Sequence, residues 1–337
     1  MRINRNINVA LRRLSVVVPL LAICFCVLEA DAQVFDTRKN LGEISFGEGI
    51  GRRAIDILER RPGAGKREAM DTIVSKFTDS NDAVTTRGEI EETRQSRNKL
   101  FVRGKGWNLI VEDDGTHVTY ANENYHINAK EAYGECLVND ESQLESIARN
   151  FILTNLDGII ELGENERIVP FGLQVEQLRV RDDDGIISDK NLGYAVTFTR
   201  VIDDIIVVGK GSKITVYLST DGSPYAFEYD WPEYYAIGES QEVLGITKVW
   251  ERVDRYTENI LGLASVSFEK FECGYYDGGS DDMSDPQIIQ SACYLFINGS
   301  DEYRYTLAIA HPIPVGSNVY NDERWSQSTP EVLMFYE

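Results

Sequence analysis

Between Leu192 and Tyr235 the chain alternates apolar and polar residues so regularly that few structures other than a β-sheet can accommodate it. Tyr194, Val196 and Phe198 alternate with Ala195, Thr197 and Thr199. Ile214, Val216 and Leu218 alternate with Thr215 and Tyr217. Tyr225, Phe227, Tyr229 and Trp231 share one face, with Ala226, Glu228 and Asp230 on the other. Turn residues separate these runs: Asp203-Asp204, Gly209-Lys210-Gly211 and Asp221-Gly222.

A helix is predicted just before them. Asp140 supplies a cap, Gln143 stands three residues on, and Leu144, Ile147, Ala148, Phe151 and Ile152 trace one apolar face over 140–156. Laid across the strands, it gives an α+β arrangement of one helix against an antiparallel sheet.

The flanking regions suggest similar units. Residues 33–130 read as a first α+β unit. It has short helices near 52–60 and 66–77, a polar helix or linker over 78–98, and a meander over 100–120 turned at Asp113-Asp114-Gly115. Residues 138–236 form the second unit. In the third, 240–337, a helical stripe at Ile246, Val249, Val253, Tyr256 and Ile260 precedes strands near 264–276, 292–298 and 303–310. The end, 315–337, reads as irregular. No residue-level repeat links the units.

Residues 1–32 have the three-part form of a secretory signal: Arg2, Arg5, Arg12 and Arg13, then an apolar run from Leu14 to Leu28, then Ala30-Asp31-Ala32 before Gln33. The expected location is secreted or periplasmic, with no stable membrane insertion after cleavage. The formal net charge of -21 in 337 residues argues against nucleic acid as a partner. An oxidising compartment permits a disulfide, and Cys273 and Cys293 flank an Asp/Gly/Ser-rich loop that such a bridge would close. Cys136 is then left over. It reads as a small buried hydrophobe or as a reactive thiol, and no basic residue directly flanks it to favour the thiolate.

The pattern Tyr194-x-Val196-x-Phe198-x-Arg200, with Val208-Gly209-x-Gly211, Val216, Asp221-Gly222 and Trp231-Pro232, resembles the PepSY and FTP-like modules. Those modules occur in the propeptides of secreted thermolysin-type peptidases and in free-standing secreted bacterial proteins. The similarity covers about 140–235. It implies a cystatin-like fold, a helix on a curled antiparallel sheet, and the helix-then-strand pattern of the flanking regions would give two to three such units. It also implies inhibition or regulation of a peptidase, with no catalytic residues in the module. The HExxH motif of such peptidases is missing from this chain, so regulation would act in trans.

Catalytic patterns are not found. His117, His126 and His311 are widely separated, and the histidines and cysteines lack zinc-ligand spacing. Gly238-Glu239-Ser240-Gln241-Glu242 lacks the second glycine of a nucleophile elbow. The acidic loop 277–285, with Asp277, Asp281, Asp282 and Asp285, reads as a solvated loop or a calcium site, though its spacing matches no standard one. No metal or cofactor is expected.

The expected function is that of a non-enzymatic binding or regulatory protein whose partner is a protein or peptide, such as a secreted peptidase. The alternative is a structural, surface-assembly protein of the cell envelope. The candidate binding surface is the aromatic end of the central stretch: Trp231, Tyr234 and Tyr235.

Overall fold

The computed structural model describes residues 54–61, 90–96, 99–112, 115–122, 138, 140–181, 187–257, 265–279, 287–300, 306–319, 325 and 331–336. The signal-like segment, the predicted helix at 66–77, Cys136, and Asp281, Asp282 and Asp285 lie outside these residues.

Strands dominate. Five strands come first: β1 (Ala54–Arg61), β2 (Ile90–Gln95), β3 (Lys99–Gly104), β4 (Trp107–Glu112) and β5 (His117–Asn122). Helix α1 (Glu141–Asn155) follows. Then come β6 (Glu166–Arg181), β7 (Ile187–Ile202), β8 (Ile205–Gly209), β9 (Lys213–Leu218), β10 (Pro224–Asp230) and β11 (Glu233–Glu242). Helix α2 (Ile246–Thr257) precedes β12 (Ser265–Asp277), β13 (Gln287–Ser300), β14 (Thr306–Pro314) and β15 (Glu331–Tyr336). All fifteen strands join one hydrogen-bonded network in the order β11-β1-β13-β12-β8-β7-β9-β10-β5-β4-β3-β2. From this path β14 and β15 branch at β13, and β6 branches at β7. The β8–β12 pairing is parallel, whereas the other described strand pairs are antiparallel.

This corrects the expected fold class. The chain is a sheet-dominated structure with two helices among the described residues, and not a set of helix-on-sheet, cystatin-like units. The physical reason is long-range pairing. Residues 54–60 fit a helical pattern, but Ile55 and Ile57 also alternate as a strand, and pairing with β11 and β13 decides for the strand. Residues 90–95, read as helix or linker, pair with β3. Residues 331–336, read as irregular, pair with β14.

Two apolar cores form. In the first, α1 covers β7, β9 and β10. Asp140 caps the helix, accepting from Ser142 N at 2.9 Å, and Leu144, Ala148, Phe151 and Ile152 are buried. Trp107, Tyr120, Phe227 and Tyr229 stack in series across β4, β5 and β10, with ring centroids 5.6 to 6.4 Å apart. In the second core, Ile55 and Leu58 of β1 pack with Ile205 and Val207 of β8, Val249 and Val253 of α2, and Trp325. There Cys273 and Cys293 stand opposite each other on β12 and β13 and form a disulfide.

The sheet forks at β7. Residues 194–199 pair with β9, where Tyr194, Val196 and Phe198 feed the first core, while Val201 and Ile202 pair with β8, where Ile202 feeds the second. Asp203 and Asp204 both take positive φ, as a tight two-residue hairpin requires. The link from β8 to β9 then passes against the end of β12. A Cβ at Gly211 would stand 2.0 Å from the Asp277 carboxylate, so only glycine permits that approach.

Candidate functional site

Where the two cores meet, charged and aromatic side chains replace the apolar packing. Arg60 enters along β1, Asp230 ends β10, Asp277 ends β12, Tyr234 comes from β11, Ser212 from the β8–β9 link, and Arg200 from β7. The Arg60 guanidinium donates through Nη2 to Asp230 Oδ1 at 2.6 Å and through Nε to Asp277 Oδ2 at 3.2 Å. All three side chains are less than 10 % exposed. Burial pulls the Arg60 guanidinium down, but Asp277 and Asp230 beside it more than offset this and hold it above its ordinary value.

Asp277 is committed to the protein's own donors. Its Oδ2 also accepts from the Tyr234 hydroxyl, its Oδ1 accepts from Gly279 N at 2.9 Å, and its carbonyl accepts from Gly211 N at 3.1 Å. It therefore anchors the junction and offers no free oxygen edge to a cation. Among the described residues no group of metal-ligating side chains forms. Ser212 completes the chain, its Oγ 2.8 Å from the Tyr234 oxygen. Burial pushes the Tyr234 hydroxyl well above its usual range, and Asp277 beside it adds to the shift. Tyr234 therefore acts as a neutral hydrogen-bond donor.

Arg200 forms the second layer. Its guanidinium lies 4.0 Å from the Trp231 ring centroid and 5.0 Å from that of Tyr234, and its Nη1 donates to Glu166 Oε1 at 3.3 Å. Among the described residues its Nε and Nη2 are buried without a hydrogen-bond partner. Two guanidinium groups thus face three carboxylates, Asp230, Asp277 and Glu166, in a nearly balanced cluster.

The three aromatic residues expected at a binding surface separate. Trp231 is 7 % exposed, so it is not part of an open surface. Its indole Nε1 donates to Glu161 O at 3.2 Å, its backbone N to Thr116 O at 2.8 Å, and Arg200 covers its face. The reason is parity: Trp231 continues the inward face of Phe227 and Tyr229. Tyr234 turns its hydroxyl into the junction and leaves part of its ring accessible. Tyr235 alone of the three is exposed. Arg61 lies 4.5 Å from its ring centroid, and its hydroxyl donates to Glu233.

Sequence reasoning did not single out Arg60, Asp230 or Ser212. One signal was available for Arg200: it stands at the inward parity of Tyr194, Val196 and Phe198, where a charge needs a buried partner. Asp230 gave no such signal. It faces away from the first core, and only the second core's arrival buries it.

No family model matches the chain, and no curated protein matches it. Among solved structures the chain is similar to an uncharacterized protein from Eubacterium rectale. The two share 8% identity, with a TM-score of 0.47 over 80% of this chain and 87% of that one.

Proposed function

We propose that the mature chain is a secreted or periplasmic binding protein, without catalytic chemistry of its own. It would take an extended segment of a protein partner by backbone pairing at the β1–β11 end of the sheet. A secreted peptidase regulated in trans is the partner class that the PepSY resemblance suggests. The observation that carries the reading is the placement of β11. Among the described strands it ends the pairing order, and Tyr235, Ala236, Gly238, Glu239 and Ser240 along it are exposed. A strand end of this kind is what an extended peptide pairs with. The Cys273–Cys293 disulfide supports an oxidising compartment. Asp56, Glu59, Glu233, Glu239 and Glu242, set against Arg61, favour a basic partner segment.

The test is capture. The mature chain, immobilised and exposed to the extracellular fraction of its source, should retain a peptidase and should slow secreted proteolysis when added in solution. Recovery of no peptidase, together with unchanged proteolysis, would remove the reading.

A further inference from the structure

The inward face of the first sheet carries buried donors at one corner. Phe198 of β7 and Tyr229 of β10 both stand opposite Ile214 of β9, so the three share one row. Arg200 and Trp231 follow two residues further along the same strands, and the Arg200 guanidinium lies 4.0 Å from the Trp231 ring centroid. Among the described residues, the Tyr229 hydroxyl and Arg200 Nε and Nη2 are buried without a hydrogen-bond partner. Tyr229 is 1 % exposed and Arg200 2 %. Buried donors are ordinarily paired, because each one left alone has lost its water without a replacement.

The donors have a definite chemistry. Nε and Nη2 form the edge of a guanidinium that can take both oxygens of one carboxylate. Glu166 does not use that edge: its Oε1 accepts from Nη1 at 3.3 Å, and its Oε2 accepts from Gly163 N at 3.0 Å. Arg149 of α1 brings a second guanidinium to this part of the sheet, 5.2 Å from the Phe198 ring centroid. Burial pushes the Tyr229 hydroxyl well above its usual range, so it stays protonated and can donate. The connection from α1 to β6 lies against the corner. Trp231 Nε1 donates to Glu161 O, and Ile159 and Ile160 pack on the first core. Asp157, Gly158 and residues 161–165 of that connection are exposed.

We propose that Arg200 and Tyr229 are the head of a binding site for a small free carboxylic acid in its ionised form. The Nε–Nη2 edge takes the carboxylate, the Tyr229 hydroxyl donates to it, and Phe198, Ile214 and Trp231 meet the carbon chain. The acid enters where residues 157–165 lift from Trp231. The burial of the donors favours a free acid over a carboxylate fixed on a protein surface. The formal net charge of -21 opposes the approach of an anion, so affinity rests on these close contacts and is weak, with a Kd of about 1 mM for a short acid. The site uses neither β11 nor a peptide partner, and it stands apart from the function proposed above.

The test is a nitrogen NMR titration of the mature chain with sodium acetate, sodium butyrate and, at matched ionic strength, sodium chloride. Two assigned signals are followed, the Arg200 Nε–H and the Trp231 indole N–H. Both should move saturably with acetate and with butyrate, and chloride should move neither. Butyrate should bind about tenfold more tightly than acetate, because its two further methylenes meet apolar side chains. Tyr229→Phe is the second arm. It removes a hydroxyl that has no partner among the described residues, so the chain should be no less stable in urea, while its affinity for both acids should fall about tenfold.

No saturable movement of either signal up to ~100 mM of both acids would overturn the site. An equal response to chloride would overturn its selectivity for a carboxylate. Unchanged affinity in Tyr229→Phe would leave an anion on Arg200 alone and overturn the two-part head. Butyrate binding no more tightly than acetate would overturn the apolar half of the site. All of these results leave strand pairing at β11 untouched, and peptidase capture is read separately.

Discussion

The two cores solve the same packing problem with different parts of the chain. The first draws its residues from Val102 to Trp231 and packs a helix and a series of aromatic rings against strands, many of which neighbour each other in sequence. The second reaches from Ile55 to Trp325 and gathers β1, β8, α2, β12 and β13 from distant places. The difference shows what each needs. Local strand order and ring burial hold the first. The second adds a disulfide, a parallel strand pairing and a strand keyed by an arginine. The charged junction between them belongs to neither alone.

The largest way to break this comparison is Arg60→Ala. It removes the guanidinium that bridges the buried Asp230 and Asp277 carboxylates, which costs about 4 kcal/mol. In urea unfolding, the tryptophans of both regions should report the loss together, because Arg60 joins the two. Next is Phe227→Ala, which removes the ring between Tyr120, Phe151 and Tyr229 and costs about 4 kcal/mol. That loss should begin in the first core, and α1 amides should exchange faster while β12 and β13 keep their protection.

Replacing both Cys273 and Cys293 by alanine should cost about 3 kcal/mol, as expected for a bridge spanning 20 residues, and should loosen the second core first. The smallest effect is on pH dependence. Burial raises the Glu228 carboxyl above its ordinary value, partly countered by His117, whose Nε2 lies 3.7 Å away. Its favourable contribution is therefore present below its unfolded value and lost as pH rises through the folded one. Glu228→Gln should remove this fall in stability, so that a denaturation series shows a flatter profile as pH rises past the ordinary glutamate range. Asp221 runs the other way. The Ser219 hydroxyl and the Ser223 amide lower it, so its contribution is lost as pH falls.

The first core was largely legible in the sequence for the same reason that it is local. Period-two alternation placed β7, β9 and β10, the turns at Asp203-Asp204 and Asp221-Gly222 separated them, and the apolar stripe from Leu144 to Ile152 placed α1 on the sheet. The disulfide was legible because its two cysteines bracket a loop. The second core was not. Nothing near Ala54–Arg61 says that its partners lie beyond residue 230, and a pattern that fits both helix and strand is decided by those partners. The same blindness misplaced Trp231. Its parity predicts an inward ring, but the covering Arg200 and Glu161 come from elsewhere in the fold.

The central claim is that β1 is keyed into the fold by Arg60, between Asp230 and Asp277 at the junction that joins the two cores. Amide hydrogen exchange on the unmodified chain tests it most directly. Residues 54–61 should exchange only together with the disulfide-linked β12–β13 pair, at the free energy of global unfolding. If residues 54–61 exchange through an opening that leaves β12 and β13 protected, at a free energy well below the global one, then Arg60 does not key β1 into the fold and the account is wrong.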